Sequence, residues 1–191
     1  MTPSITDPLR RADEMFSARL ASIGPSDWDR PTPCADWSVR QVVGHVVTGS
    51  AMAAGILRGA TRNQAIAILG VDELGNEPEV AYRRVLDEQV AAFAAVDSFD
   101  MVCEHPAGDM SARQLLDFRV ADLVLHTWDI AVAVGLDTDL DADLVEVVWE
   151  GLAPMAPFIG RLGVFGHGPS GAVPDDAPLQ TRLLDLAGRH P

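Results

Sequence analysis

The sequence predicts an all-α protein: a bundle of four long helices with additional C-terminal helices and an irregular tail. Three observations predict it. Apolar residues recur at spacings of three and four over long stretches. Two of those stretches open on the same Ser-x-Arg-Gln pattern, Ser38-Val39-Arg40-Gln41 and Ser111-Ala112-Arg113-Gln114, which reads as a capping box at a helix start. Segments rich in Gly, Pro and Asp separate the periodic stretches, as loops should.

The first helix is expected over Asp7 to Ile23, where Leu9, Ala12, Met15, Phe16, Leu20 and Ile23 form one stripe. Gly24 to Trp37 reads as a loop, and the second helix opens at Ser38 and runs to the neighbourhood of Arg58. Gly59 to Asn76 is a connector with one helical turn at Asn63 to Leu69. The third helix spans Glu77 to Val96, with Val80, Val85, Val90 and Phe93 apolar, and Asp97 to Met110 is a loop or a short irregular strand. The fourth helix opens at Ser111 and runs to Val134, where Gly135 suits the position just past a helix end. Asp141 to Ile159 reads as a fifth helix that Pro154 and Pro157 should end or kink. Gly160 to Leu179 has no periodicity, and a short helix over Gln180 to Ala187 closes the chain. The two Ser-x-Arg-Gln starts reflect helix capping, not an internal repeat. The expected organisation is one domain over residues 1–191, with a core from 7 to 135 and a C-terminal extension from 136 to 191.

Composition narrows the function classes. At 191 residues, 48% of them hydrophobic, the chain can bury a real core and is not a disordered one. The net charge is -14, from 28 acidic and 14 basic residues, all of the latter Arg. That balance argues against nucleic acid and anionic membrane surfaces as partners, and the lack of lysine excludes a Schiff-base lysine. No apolar run reaches the roughly 18 residues needed to span a bilayer. The longest candidate, Val39 to Leu57, is interrupted by Arg40, Gln41 and His45. Met1 to Asp7 has no basic stretch followed by an apolar one, so a cytoplasmic protein is expected. Cys34 and Cys103 have neither zinc-finger nor redox spacing. A monomer and a homodimer are both compatible with this composition.

The chemistry points to His45, Asp122 and His126. Asp122 and His126 lie four apart in an apolar helical stretch, about 40° apart on its wheel, so both side chains share one face. A carboxylate among Leu and Val is costly to bury unless it is paired, hydrogen-bonded or bound to a metal. His45 lies in an equally apolar setting, Val42-Val43-Gly44-His45-Val46-Val47. Two imidazoles and one carboxylate make a catalytic zinc set with a fourth position open to water or substrate. The same residues also suit a satisfied core histidine, or a simple Asp–His pair. Arg119 and Asp129 extend the face into one polar stripe, which a solvated helix face would equally produce. On the metal reading, Asp129 or Arg119 orients a ligand or binds an anionic substrate. His105, His167 and His190 read as surface residues, Gly166-His167-Gly168-Pro169 as a turn and not a phosphate loop, and Cys34 as a small buried residue.

Two stretches carry a resemblance to a known family. Thr32-Pro33-Cys34-Ala35-Asp36-Trp37-Ser38-Val39-Arg40-Gln41-Val42-Val43-Gly44-His45 resembles the start of the DinB/YfiT-like metal-binding superfamily, and more closely its mycothiol-dependent maleylpyruvate isomerase N-terminal branch. Ala121-Asp122-Leu123-Val124-Leu125-His126-Thr127-Trp128-Asp129 is similar to that branch's second signature, an acid four residues before a His and then Trp-Asp. Gly163-Val164-Phe165-Gly166 and the run from Arg182 to Pro191 resemble the tail of a short actinobacterial subgroup.

The resemblance implies a DinB-like four-helix bundle whose divalent metal, zinc or sometimes nickel, sits on His45, Asp122 and His126. It also implies a mycothiol-type thiol cosubstrate, a small electrophilic substrate, and transferase or isomerase chemistry. The alternative is a non-catalytic metal- or ligand-binding helical protein. Two departures bear on the substrate. Only about fifty residues follow the fourth helix, too few for the further α/β domain of the isomerases. The acid is Asp where they carry Glu, one methylene longer. Such isomerases also use an arginine for substrate, for which Arg83, Arg84 and Arg119 are available.

Overall fold

The computed structural model describes residues 4–34, 36–162 and 168–191. Gly163-Val164-Phe165-Gly166 and His167 lie outside the described residues. Four long helices, α1 (Asp7–Leu20), α2 (Val39–Leu57), α4 (Pro78–Ala94) and α5 (Ala112–Val134), form the bundle. Helix α5 packs against α1 and α2, and α4 closes the ring by packing on α2 and α1. The chain is therefore all-α in class, as its periodicity predicts.

Each bundle helix starts and stops for a local reason. Ser38 accepts from the Gln41 backbone while the Gln41 side chain accepts from Ser38 N–H, and Ser111 and Gln114 do the same for α5. Gly135 ends α5 with φ +76°, a conformation costly for any residue with a Cβ. Helix α1 stops at Leu20, short of Ile23, because Ser22 and Ile23 bond back three residues and tighten the chain toward Gly24. Its stripe Leu9, Ala12, Phe16 and Leu20 is buried. Helix α5 differs from the other three, since every residue from Arg119 to Ala131 is buried. A helix enclosed on all sides leaves its charged residues no water, so each needs a partner within the protein.

Two expectations are corrected between the bundle helices. The connector holds more than one turn: α3 (Arg62–Leu69) is an eight-residue helix, started by a third capping box between Thr61 and Gln64. Residues Val102–His105 (β1) and Gly108–Ser111 (β2) form a regular antiparallel pair across a Pro106-Ala107 turn. Four-residue strands are too short for their alternation, Cys103 and His105 inward and Val102 and Glu104 outward, to stand out in sequence. Arg62 docks α3 on this hairpin through Glu104, the His105 carbonyl and Asp109.

The fifth predicted helix is broken where its prolines stand. Helix α6 (Ala142–Leu152) gives way to a 3-10 turn, Ala153–Met155, around Pro154, and α7 (Ala156–Leu162) resumes with Pro157 near its start. Helix α6 packs on α5 and α1, held to α1 by Arg11, which reaches Asp141 at 2.5 Å and Asp143 at 3.1 Å. Helix α8 (Leu179–Leu186) packs on α6. It ends in a Schellman motif: Gly188, φ +75°, donates to the Asp185 carbonyl, and Arg189 N–H donates to the Leu184 carbonyl. That turn sends Arg189 back into the protein. No described helix is long and apolar enough to cross a membrane.

Candidate metal centre

The packing of α2 on α5 brings together side chains 77 residues apart. His45 Nε2 lies 3.0 Å from Asp122 Oδ1, and His126 Nε2 lies 3.3 Å from the same oxygen. One donor atom from each of the three residues falls within 4.8 Å of the others. Ligands held tetrahedrally at about 2.1 Å sit about 3.4 Å apart, so these separations suit a single divalent ion with little movement. The His45 side chain is 37% exposed, against 7% for Asp122 and 6% for His126. Of the three, His45 is the residue that reaches solvent, and an additional ligand has access on its side.

Both ligand candidates on α5 are held from behind. Asp122 Oδ2 accepts from Arg119 Nη1 at 2.8 Å. The Arg119 guanidinium also donates to Gln89 Oε1, the Val46 carbonyl and Ser50 Oγ, each at 3.1 Å. Gly49 makes room for it, since a Cβ there would lie 2.4 Å from Arg119 Nη1. His126 Nδ1 donates to Asp129 Oδ2 at 2.8 Å, which leaves Nε2 toward Asp122. A second nitrogen fixed by a carboxylate is the usual support of a metal-bound imidazole. Asp129, fully buried, is gripped by Arg189, whose Nε and Nη2 reach Oδ1 and Oδ2 at 3.2 and 2.7 Å.

The loop before α2 supplies a wall. Thr32 N–H and Oγ1 both donate to the Trp37 carbonyl, and Asp36 takes φ +67° to turn the chain. Trp37 is thereby set against both imidazoles, at ring-centroid distances of 4.8 Å to His45 and 6.0 Å to His126. Cys34 lies beside the site, half-buried, and forms a second close group with His126 and Asp129. That group is the poorer cation site, because Arg189 and His126 already occupy the Asp129 oxygens.

Charge balance explains how so much polarity is buried. Burial alone would raise the Asp122 carboxyl, but His45, Arg119 and His126 outweigh it and hold it well below the usual range. Burial likewise works against Asp129, which His126 and Arg189 hold low. His126 loses by burial and gains more from Asp122 and Asp129, which push it up to about 9. The Cys34 thiol is raised by burial first and then by Asp129.

The structure brings His45, Asp122 and His126 together with Arg119 and Asp129 beside them. The alternative of a solvated stripe fails, because Arg119, Asp122, His126 and Asp129 are all buried. Arg83 and Arg84 are exposed on α4, and Arg84 is paired with Glu73 and Glu88. His190 is exposed as expected, but His105 is buried, its Nδ1 accepting from Ala107 N–H across the hairpin turn. Sequence reasoning missed Trp37, Ser50, Gln89 and Arg189 as parts of the site. Ser50 and Gln89 carried a faint signal, single polar residues on apolar helix faces. Arg189 carried none, since only the packing of α8 brings it to α5.

Fold and site together define a DinB-like helical bundle with a buried polar centre between α2 and α5. The family model described as the mycothiol maleylpyruvate isomerase N-terminal domain matches residues 9–131, and the chain belongs to this family. Its relatives include an uncharacterized protein of Mycobacterium tuberculosis, found in strains CDC 1551 / Oshkosh and H37Rv, 29% identical over 147 residues that cover 72% of this chain and 73% of the relative. Among solved structures, the crystal structure of a mycothiol-dependent maleylpyruvate isomerase superposes with a TM-score of 0.64 at 14% identity, covering 80% of this chain and 68% of that one. A histidine-to-alanine mutant of that isomerase gives 0.65 at 14% identity, over 86% and 72% of the two chains. At such identity the likeness shows a shared fold.

Proposed function

We propose that the chain binds one divalent metal, zinc in the first place and nickel as the alternative, through His45 Nε2, Asp122 Oδ1 and His126 Nε2. On this reading it is a thiol transferase or isomerase that takes a mycothiol-type thiol and a small electrophilic substrate. The observation that carries the reading is the convergence of these three donor atoms, each α5 ligand being braced by its own buried partner. Family membership and the isomerase fold support the thiol half of it. We read residues 1–191 as one functional unit, a core from 7 to 135 closed by the extension from 136 to 191.

The bound ion would supply ionisation of a coordinating thiol at neutral pH. Fixed charges of the site favour an anionic ligand there. Asp122 and Asp129 are balanced by Arg119 and Arg189, two negative groups against two positive ones, so a divalent ion keeps its own charge uncompensated. Trp37 covers both imidazoles and limits water, while the half-exposed His45 edge is the way in. Arg119 and Asp129 hold ligands in this scheme. Arg119 in particular spends four hydrogen bonds on buried partners, which disfavours a role in binding an anionic substrate.

Purified protein loaded with zinc is assayed for conjugation or isomerisation of small electrophiles in the presence of mycothiol. Turnover above the thiol alone, lost on His126→Ala, is the expected result. Metal-loaded protein without turnover across several electrophile classes would leave a metal- or ligand-binding protein instead.

A further inference from the structure

The most deeply buried ion pair of the site joins residues 60 apart and has one member outside the matched stretch 9–131. Arg189 is placed by the Schellman turn that ends α8, while Leu183, Leu184 and Ala187, all fully buried, anchor that helix. Arg189 is itself only 5% exposed. One arm of its guanidinium, Nη1, is tied to the Ala187 carbonyl at 2.7 Å, and the other two nitrogens fork onto both oxygens of Asp129. Asp129 Oδ2 receives Arg189 Nη2 at 2.7 Å and His126 Nδ1 at 2.8 Å.

A carboxylate on a short side chain can rotate about its last bond. A two-point fork removes that freedom, because a planar guanidinium and a planar carboxylate must align. The aligned Asp129 then presents one fixed acceptor to His126, and a proton held on Nδ1 leaves Nε2 as the donor atom.

We propose that Arg189 is a positioning residue of the metal centre: by clamping Asp129 it sets the ring orientation and tautomer of His126, so that the C-terminal extension completes a site built on α2 and α5. The inference rests on the reading of His45, Asp122 and His126 as metal ligands. A strut that merely fastened α8 would contribute stability without any effect on the His126 ring.

The test uses the full-length protein and three variants, Arg189→Met, Asp129→Asn and the double variant, with Arg189→Lys as a conservative fourth. Two quantities are read: zinc affinity by chelator competition, and the imidazole nitrogen chemical shifts of His126 in the metal-free protein at alkaline pH, where the ring is neutral and has a tautomer to report. Arg189→Met should weaken zinc binding by about tenfold, the low end of what loss of a ligand's supporting partner costs. It should also shift the His126 nitrogens away from a single Nδ1–H form. The double variant should bind zinc no more weakly than Asp129→Asn alone, and Arg189→Lys should recover part of the loss, since an ammonium keeps the charge without the fork. Unchanged zinc affinity and unchanged His126 shifts in Arg189→Met would overturn the proposal, as would full additivity in the double variant. If the wild-type protein takes up no zinc, the metal reading itself fails. The nitrogen shifts then decide the Arg189 role alone, a change upholding it and no change refuting it.

Discussion

His126 stands between two carboxylates, its Nε2 3.3 Å from Asp122 Oδ1 and its Nδ1 2.8 Å from Asp129 Oδ2. Each carboxylate has its own arginine on the far side, Arg119 behind Asp122 and Arg189 behind Asp129. The chain Arg119–Asp122–His126–Asp129–Arg189 therefore runs along the middle of α5 and out to the turn after α8 with each carboxylate paired, and among the described residues it meets solvent at the edge shared with His45.

Arg119→Met separates ligand support from substrate binding. The variant leaves Asp122 buried without its guanidinium, and breaking such a pair costs about 3–5 kcal/mol. Denaturant unfolding should show a loss of that order, with weaker zinc binding alongside it. A variant that keeps stability and metal affinity and only raises the substrate KM would instead make Arg119 a substrate-binding residue.

Two glycines of α2 should respond in opposite directions. A Cβ at Gly44 meets Leu74 at 3.9 Å, an ordinary contact, so Gly44→Ala should stabilise the helix by about 0.5–1 kcal/mol. At Gly49 the same Cβ would lie 2.4 Å from Arg119 Nη1. The guanidinium is pinned by four bonds and cannot yield, so Gly49→Ala should destabilise by about 1–3 kcal/mol. Equilibrium unfolding of the two variants reads the sign directly.

His105 gives a pH dependence of defined sign. Burial, and then the charges of Arg119 and Arg62, lower its pKa below the ordinary 6.5. The folded protein keeps His105 neutral while the unfolded chain takes up a proton, so the unfolded state binds more protons in that window. This contribution is complete above the unfolded value and is lost as pH falls through it toward the folded one. His105→Asn retains an acceptor for Ala107 N–H without titrating. The stability difference between wild type and variant should therefore move against the wild type as pH drops from about 7 to about 5. A pH-independent difference would contradict this, because it would mean that His105 titrates alike in the folded and unfolded chain.

Removal of metal should lower the melting temperature. An ion that binds only the folded state stabilises it by about 2.7 kcal/mol at a hundredfold excess over its Kd. Chelated and zinc-loaded samples compared by calorimetry should differ accordingly. Equal melting temperatures, with metal loss verified, would mean that no cation bridges α2 and α5.

Much of this architecture was legible in the sequence. The 3.6-residue stripes and the Ser38 and Ser111 boxes give the bundle helices, and Gly135 gives an end. Asp122 and His126 could be paired from their spacing on one helix. His45 joined them only by its odd setting among valines and by family resemblance, since no local rule brings α2 onto α5. The hairpin and the true length of α3 were hidden because strands of four residues and a helix of eight carry too few periods. Arg189 was hidden for a different reason. Its role depends on α8 packing on α6 and on the left-handed Gly188, a tertiary relationship with no periodic trace.

The central claim is that the cation site is His45, Asp122 and His126, and two variants test it most directly. His126 belongs to both close donor groups, the one with His45 and Asp122 and the one with Cys34 and Asp129. Metal-free wild type, His45→Ala and Cys34→Ala are each titrated with zinc, and bound metal per chain is counted. The account predicts one zinc per chain in the wild type and in Cys34→Ala, and a loss of tight binding in His45→Ala. Zinc retained by His45→Ala and lost by Cys34→Ala would contradict it and move the site to the other face of His126.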